Sequence, residues 1–222
     1  DYDFVSAAVN LCIDHNDNER LQHFVSKGLA LQPEDATLLN IQGKLYEEKR
    51  EFRQALSVYQ KLQDTHPKAL DVLKHLAINS YNLGVENYNK TLELREDPNV
   101  LFYEAEAKEY FTQAIDHLRN ILISDPLSLK YTQALAVAYI CTGDKENFGL
   151  VNYKLASLGG GKIEENVIPR FIDFVQEAGP TVAAIPSADA GDQQESLAEG
   201  QLQGIPAYSA FAVPFIESRI GK

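Results

Sequence analysis

The chain has 222 residues, 45% of them apolar, and 32 acidic side chains against 20 basic ones leave a net charge of −12 at pH 7. That apolar share belongs to a folded protein, and the negative balance argues against a nucleic-acid partner, whose phosphates require a basic stripe. No apolar run approaches the 18 or so residues of a membrane span.

Taken in order, the chain first predicts a helix from Phe4, Val5, Ala8, Val9 and Cys12, and a second from Leu21, Phe24, Val25 and Leu29. These make a helical pair over residues 2–35, which Pro33 closes. The second pair, residues 36–69, is clearer, with one helix over Ala36 to Lys49 and another from Phe52 up to Pro67. Gly43 and Ala55 are small where two helices of a pair cross closely, while Tyr46, Phe52 and Tyr59 fill the space between pairs. Pro67 ends the second helix, because proline lacks a donor and disfavours a helical residue before it. Pro33 and Pro67 stand 34 residues apart, and a fixed period of this size is the mark of a helical repeat.

The third pair, residues 70–128, breaks the period, since Pro126 follows Pro67 by 59 residues, about 25 more than the repeat needs. The excess is helical in pattern. Ala77, Tyr81, Val85, Tyr88 and Leu92 continue one stripe, and Leu101, Ala105, Phe111, Ile115, Leu118 and Leu122 return, around a turn at Glu96-Asp97-Pro98-Asn99. Two helices of about 25 residues, each near 38 Å long, are expected. Gly84 lies inside the first of them, where glycine costs roughly 1 kcal/mol against alanine.

The fourth pair, residues 129–160, carries Leu135, Ala136 and Tyr139, turns at Gly143-Asp144, and continues through Phe148, Val151, Leu155 and Leu158. Gly159-Gly160-Gly161 stops it where a proline would otherwise stand. Ile168, Phe171, Ile172 and Val175 sit at i, i+3, i+4 and i+7, predicting a capping helix over 164–178 with Asn166 as its N-cap. Residues 179–204 read as a flexible linker rich in Ala, Gly, Ser, Pro and Gln. Residues 205–222 turn apolar again, with Pro206 and Pro214 limiting any helix, and are expected to pack on something, the protein's own groove included.

Counted from Ala36 as position one, Gly43, Tyr46, Phe52, Ala55, Tyr59 and Pro67 fall at positions 8, 11, 17, 20, 24 and 32. This segment resembles a tetratricopeptide repeat. The expected fold is therefore all-α: a right-handed α-solenoid of about four pairs, the third drawn out into a long antiparallel hairpin, plus the capping helix. The whole is similar to Bacteroidetes tetratricopeptide-repeat proteins in which one pair is lengthened. Cys12 and Cys141 would then lie in the first and last repeats, too far apart to bridge.

The resemblance implies a concave groove lined by the first helix of each pair, with partner contacts at positions 2, 5, 9, 12 and 13. In the second repeat these are Thr37, Asn40, Lys44, Glu47 and Glu48, and in the third Asp71, Lys74, Ile78, Tyr81 and Asn82. In the fourth, Lys130, Gln133, Val137 and Ile140 fill the first four. The family's carboxylate clamp is not reproduced, because Asn40 and Lys44 come in the reverse order and Ala134 stands where an Arg is needed. A partner offering both apolar and charged contacts suits so mixed a groove.

No catalytic or cofactor motif stands out. Gly159-Gly160-Gly161-Lys162 lacks the earlier glycine and the following Ser or Thr of a phosphate loop. Cys12 and His15 offer two metal ligands where a structural site needs four. The leading expectation is a non-enzymatic scaffold binding a protein or peptide partner, with the long hairpin or the C-terminal segment available for self-association. A second is a processed cell-envelope assembly protein on the periplasmic side of a bacterium, in keeping with the Bacteroidetes likeness and a first residue other than Met; a cytoplasmic setting is the alternative. A third is a regulatory or substrate-positioning domain of a larger enzyme.

Overall fold

The computed structural model describes residues 1–94 and 96–173. The linker and apolar segment expected over 179–222 lie outside the described residues, as do residues 174–178 of the expected capping helix. Eight helices and no strand occur among the described residues: α1 (Tyr2–Asp14), α2 (Asn18–Leu31), α3 (Ala36–Glu48), α4 (Phe52–Thr65), α5 (Leu70–Glu93), α6 (Val100–Ser124), α7 (Leu129–Thr142) and α8 (Lys145–Ser157). Each packs on its predecessor and its successor, and no non-adjacent pair packs as extensively. That is an all-α solenoid of four pairs.

Local chemistry sets the helix starts. The carboxylates of Asp1, Asp17, Asp35 and Asp144 accept from the amides of Asp3, Arg20, Leu38 and Asn147, capping α1, α2, α3 and α8. An aspartate there satisfies an otherwise orphaned donor and opposes the positive end of the helix dipole. In the turns joining α1 to α2, α3 to α4 and α7 to α8, one residue takes a left-handed conformation: Asn16, Arg50 and Gly143, with φ of 52°, 57° and 83°. Asn and Gly are ordinary there; an arginine is not.

Two glycines owe their positions to aromatic rings. A Cβ on Gly43 would lie 2.5 Å from Cζ of Tyr59, and Tyr59 is wholly buried between α3, α4 and α5. A Cβ on Gly84 would meet three ring carbons of Phe111 at 2.9 Å. The glycine that weakens α5 as an isolated helix is thus what lets α6 lie against it.

The third pair is drawn out as expected, α5 having 24 residues and α6 25. Its buried residues run only to Asn87 on α5 and begin at Ala107 on α6. The far third of the hairpin is held instead by surface contacts such as Lys90 over the Tyr103 ring at 5.3 Å, and Leu101 and Phe102 stand exposed near its tip. Lower down, Arg53 at the start of α4 reaches across to Glu106 at 3.2 Å and lies 5.4 Å over the ring of Tyr110, fastening the second pair to α6.

The described part of the expected capping helix, residues 164–173, is not helical. Residues 161–173 are non-helical throughout. Gly159 and Gly161, both at positive φ, turn the chain back after α8. Pro169 then opposes a helix, since it has no donor and disfavours helical backbone at Ile168. The apolar spacing that matched a helix has a simpler period. Val167 and Phe171 are half-buried and Pro169 is buried, whereas Ile168 and Arg170 face solvent. That alternation by two is what an extended segment shows when it lies on a surface. We call residues 162–173 the strap.

Candidate protein-binding groove

The first helices of the second, third and fourth pairs, α3, α5 and α7, carry the residues expected to meet a partner. Asn40 and Lys44 on α3 are half-buried, and Gln133 on α7 is exposed. Asp71, at the exposed start of α5, lies 3.9 Å from Lys74. Glu48 accepts from Asn18 Nδ2 at 2.9 Å, so it serves the contact with α2.

Five of the expected groove residues are buried: Glu47, Ile78, Tyr81, Asn82 and Val137. Tyr81 meets the ring of Phe111 edge-on at 5.4 Å, and burial pushes its hydroxyl pKa well above the usual value. Ile78 and Val137 belong to the same apolar cluster, against which Phe171 and Ile172 of the strap pack. Glu47, expected to meet a partner in the groove, instead anchors the contact between the second and third pairs. Its Oε1 accepts from Asn79 Nδ2 at 2.6 Å and lies 2.8 Å from Nδ1 of His75. The imidazole in turn stacks on Tyr59, with ring centroids 4.3 Å apart and planes within 4°. Burial, with the nearby Glu47 carboxylate, raises the Tyr59 hydroxyl pKa and keeps it protonated. A glutamate pair in sequence looks like surface; only the packing of α5 on α3 and α4 shows that Glu47 points inward.

The strap takes up two more of the groove positions. Asn82, at position 13 of the third repeat and 1% exposed, donates from Nδ2 to the Ile172 carbonyl at 2.9 Å. Its Oδ1 accepts from the Ile172 amide at 2.8 Å. Lys130, at position 2 of the fourth, donates to the Asp173 carbonyl at 3.4 Å. Phe171 stacks on Phe52 with centroids 5.8 Å apart, and the Arg50 guanidinium lies 5.5 Å over the same ring. Nearer α8, Asn152 repeats the arrangement, exchanging bonds of 2.9 and 2.8 Å with the backbone of Ile163. In both places an asparagine amide mimics a neighbouring strand, offering one donor and one acceptor to a single residue of extended chain.

Sequence reading places Asn82 and Lys130 on this surface but does not single out Arg50, Phe52 or Asn152 as partner contacts. For Arg50 a signal exists. It precedes an acidic helix-capping position, Glu51, as Asn16 precedes Asp17 and Gly143 precedes Asp144. A long cation where the other turns have Asn or Gly is the anomaly. For metal or thiol chemistry the site offers little. No group of three or more metal-ligating side chains occurs among the described residues. Burial pushes the Cys141 thiol up to about 12, leaving it protonated and unreactive at neutral pH. None of the described helices is long and apolar enough to cross a membrane.

Several solved structures are similar to this fold. One, of a MamA mutant, superposes with a TM-score of 0.54 at 19% identity, over 71% of this chain and 77% of its own. Another, titled "MamA MSR-1 C2", gives 0.52 at 18% identity, over 72% and 77%. At such identity the likeness shows the fold: a tetratricopeptide-like helical repeat. No family model and no curated protein matches the sequence.

Proposed function

We propose that the chain is a non-enzymatic protein-binding scaffold, taking a peptide or protein partner along α3, α5 and α7. The observation that carries this reading is the asparagine-to-backbone exchange at Asn82, in which a groove position of this solenoid holds extended polypeptide. A repeat fold supports it, since stacked pairs present an extended surface for a partner. Around that position Asn40, Lys44, Asp71, Lys74, Lys130 and Gln133 supply polar contacts of both signs, which suit a partner read by register as well as charge.

The test is affinity capture with the full chain and with a Lys44→Glu, Lys74→Glu, Lys130→Glu variant, identifying retained proteins by mass spectrometry. The Lys74–Asp71 pair is a surface contact, Asp71 being 90% exposed, and such pairs contribute about 0–1 kcal/mol. A circular dichroism melt verifies the fold of the variant, which is expected to lose its partner at least tenfold. A partner retained undiminished would contradict the groove.

A further inference from the structure

The strap is chemically an extended peptide seated on the protein that made it. Its last described residues meet a preformed set of groups: a buried asparagine that reads backbone, an aromatic platform, and two cations. We propose that Phe171, Ile172 and Asp173 are a self-ligand, and that a partner's extended segment of aromatic–aliphatic–acidic sequence binds the same subsite by displacing them. This rests on the scaffold reading above and adds to it what the groove selects and what guards it.

Four features support a binding site over mere packing. Asn82 spends both faces of its amide on one strap residue, contacts that any extended residue could supply, so they fix register without demanding a side chain. Phe52, at the start of α4, presents a ring on which an aromatic can stack. Arg50 covers the stacked Phe171 ring from a left-handed backbone conformation that disfavours arginine. The turn would be easier with Asn or Gly, as in the equivalent turns, and residues held in such disfavoured backbone cluster at functional sites. Its distance of 3.8 Å to the Asp173 carboxylate adds a preference for an acidic group after the aliphatic one. Both partners are largely exposed, which keeps that preference mild.

The strap is also suited to leave. Its Arg50–Asp173 pair is exposed, the Lys130 contact is long at 3.4 Å, and residues 168 and 170 face solvent. No helical hydrogen bonds would be broken on release, because no helix is present over 161–173. An intramolecular occupant lowers the apparent affinity for a competitor by the fraction of time the site is open.

A fluorescein-labelled peptide of the strap's own sequence, Val-Ile-Pro-Arg-Phe-Ile-Asp, serves as probe in anisotropy titrations of the full chain. Phe171→Ala, which loosens the strap and leaves the subsite whole, is expected to bind the peptide about tenfold or more tightly than the wild type. Adding Asn82→Ala to that variant should abolish binding. Adding Arg50→Gly instead should weaken it severalfold, and glycine suits that turn, so this variant keeps its fold whatever Asn82→Ala does. Circular dichroism melts verify each protein. Equal affinity in wild type and Phe171→Ala, or tight binding indifferent to both Arg50→Gly and Asn82→Ala, overturns the proposal. A captured partner insensitive to Phe171→Ala but lost on lysine reversal would sink this inference alone and leave the scaffold standing.

Discussion

Phe111→Ala is expected to lower stability by about 3–5 kcal/mol, the usual loss for a fully buried aromatic, and to lower the thermal midpoint by about 10 °C for a domain of this size. The ring is 0% exposed and fills the seam between α5 and α6. It lies against Gly84 on one helix and meets Tyr81 edge-on at 5.4 Å. The complementary change is more discriminating. Gly84→Ala would gain about 1 kcal/mol of helix propensity if propensity decided the matter. However, its Cβ would sit 2.9 Å from three ring carbons, and a ring boxed in by Tyr81 has little room to retreat. Overpacking of this kind costs about 1–3 kcal/mol, so net destabilisation is expected. Combining Gly84→Ala with Phe111→Leu should recover part of the loss beyond the sum of the single effects, because a smaller, more adaptable side chain faces the new methyl. Urea or thermal unfolding of the variants measures all of this.

The second large effect concerns the buried carboxylate. The Glu47 side chain is 4% exposed, with His75 and Asn79 supplying polar contacts beside the Tyr59 hydroxyl. Removing both partners in a His75→Ala, Asn79→Ala variant leaves that carboxylate buried with neither of them. A cost of about 3–5 kcal/mol is expected, with the stacking of His75 on Tyr59 lost as well. Adding Glu47→Leu to the same variant should restore a large part of the loss, since an apolar side chain in that place needs no partners. A triple variant no more stable than the double would show that the loss comes from the cavity and the broken stack. The first experiment acts on the seam between α5 and α6 and the second on the contact between α3 and α5, so each disturbs at least one helix of the surface formed by α3, α5 and α7.

Much of the frame is legible in the chain because repeats impose strict local rules. Gly43, Ala55 and Tyr59 sit where two helices cross, and a tyrosine ring that needs a glycine opposite it leaves a trace at fixed spacing. The extents of α5 and α6 are likewise local, following continuous apolar stripes on either side of the Glu96-Asp97-Pro98-Asn99 turn. What lies beyond reach is whichever feature depends on a neighbouring helix. Glu47 reads as surface because its partners are on α5, 28 and 32 residues away. Gly84 reads as a defect until Phe111 is seen against it.

The strap misleads for another reason. Ile168, Phe171, Ile172 and Val175 satisfy a helical period, while Val167, Pro169 and Phe171 satisfy an extended one, and a short apolar run fits both. Pro169 is the discriminating residue. With the strap in place, Ile78, Tyr81 and Val137 are core rather than open groove. Lys44, Lys74 and Lys130 are half-buried along α3, α5 and α7.

The central claim is that Asn82 holds an extended chain that a partner can replace, and amide hydrogen exchange at Ile172 tests it most directly. In the free full chain the Ile172 amide is expected to exchange far more slowly than in an open peptide, since it donates to Asn82 Oδ1 at 2.8 Å. Saturating the protein with the Val-Ile-Pro-Arg-Phe-Ile-Asp peptide should abolish that protection, while the amides of α5 around Asn82 stay protected. An Ile172 amide that exchanges at the open-chain rate without peptide, or one that stays protected when peptide is bound, would contradict the account.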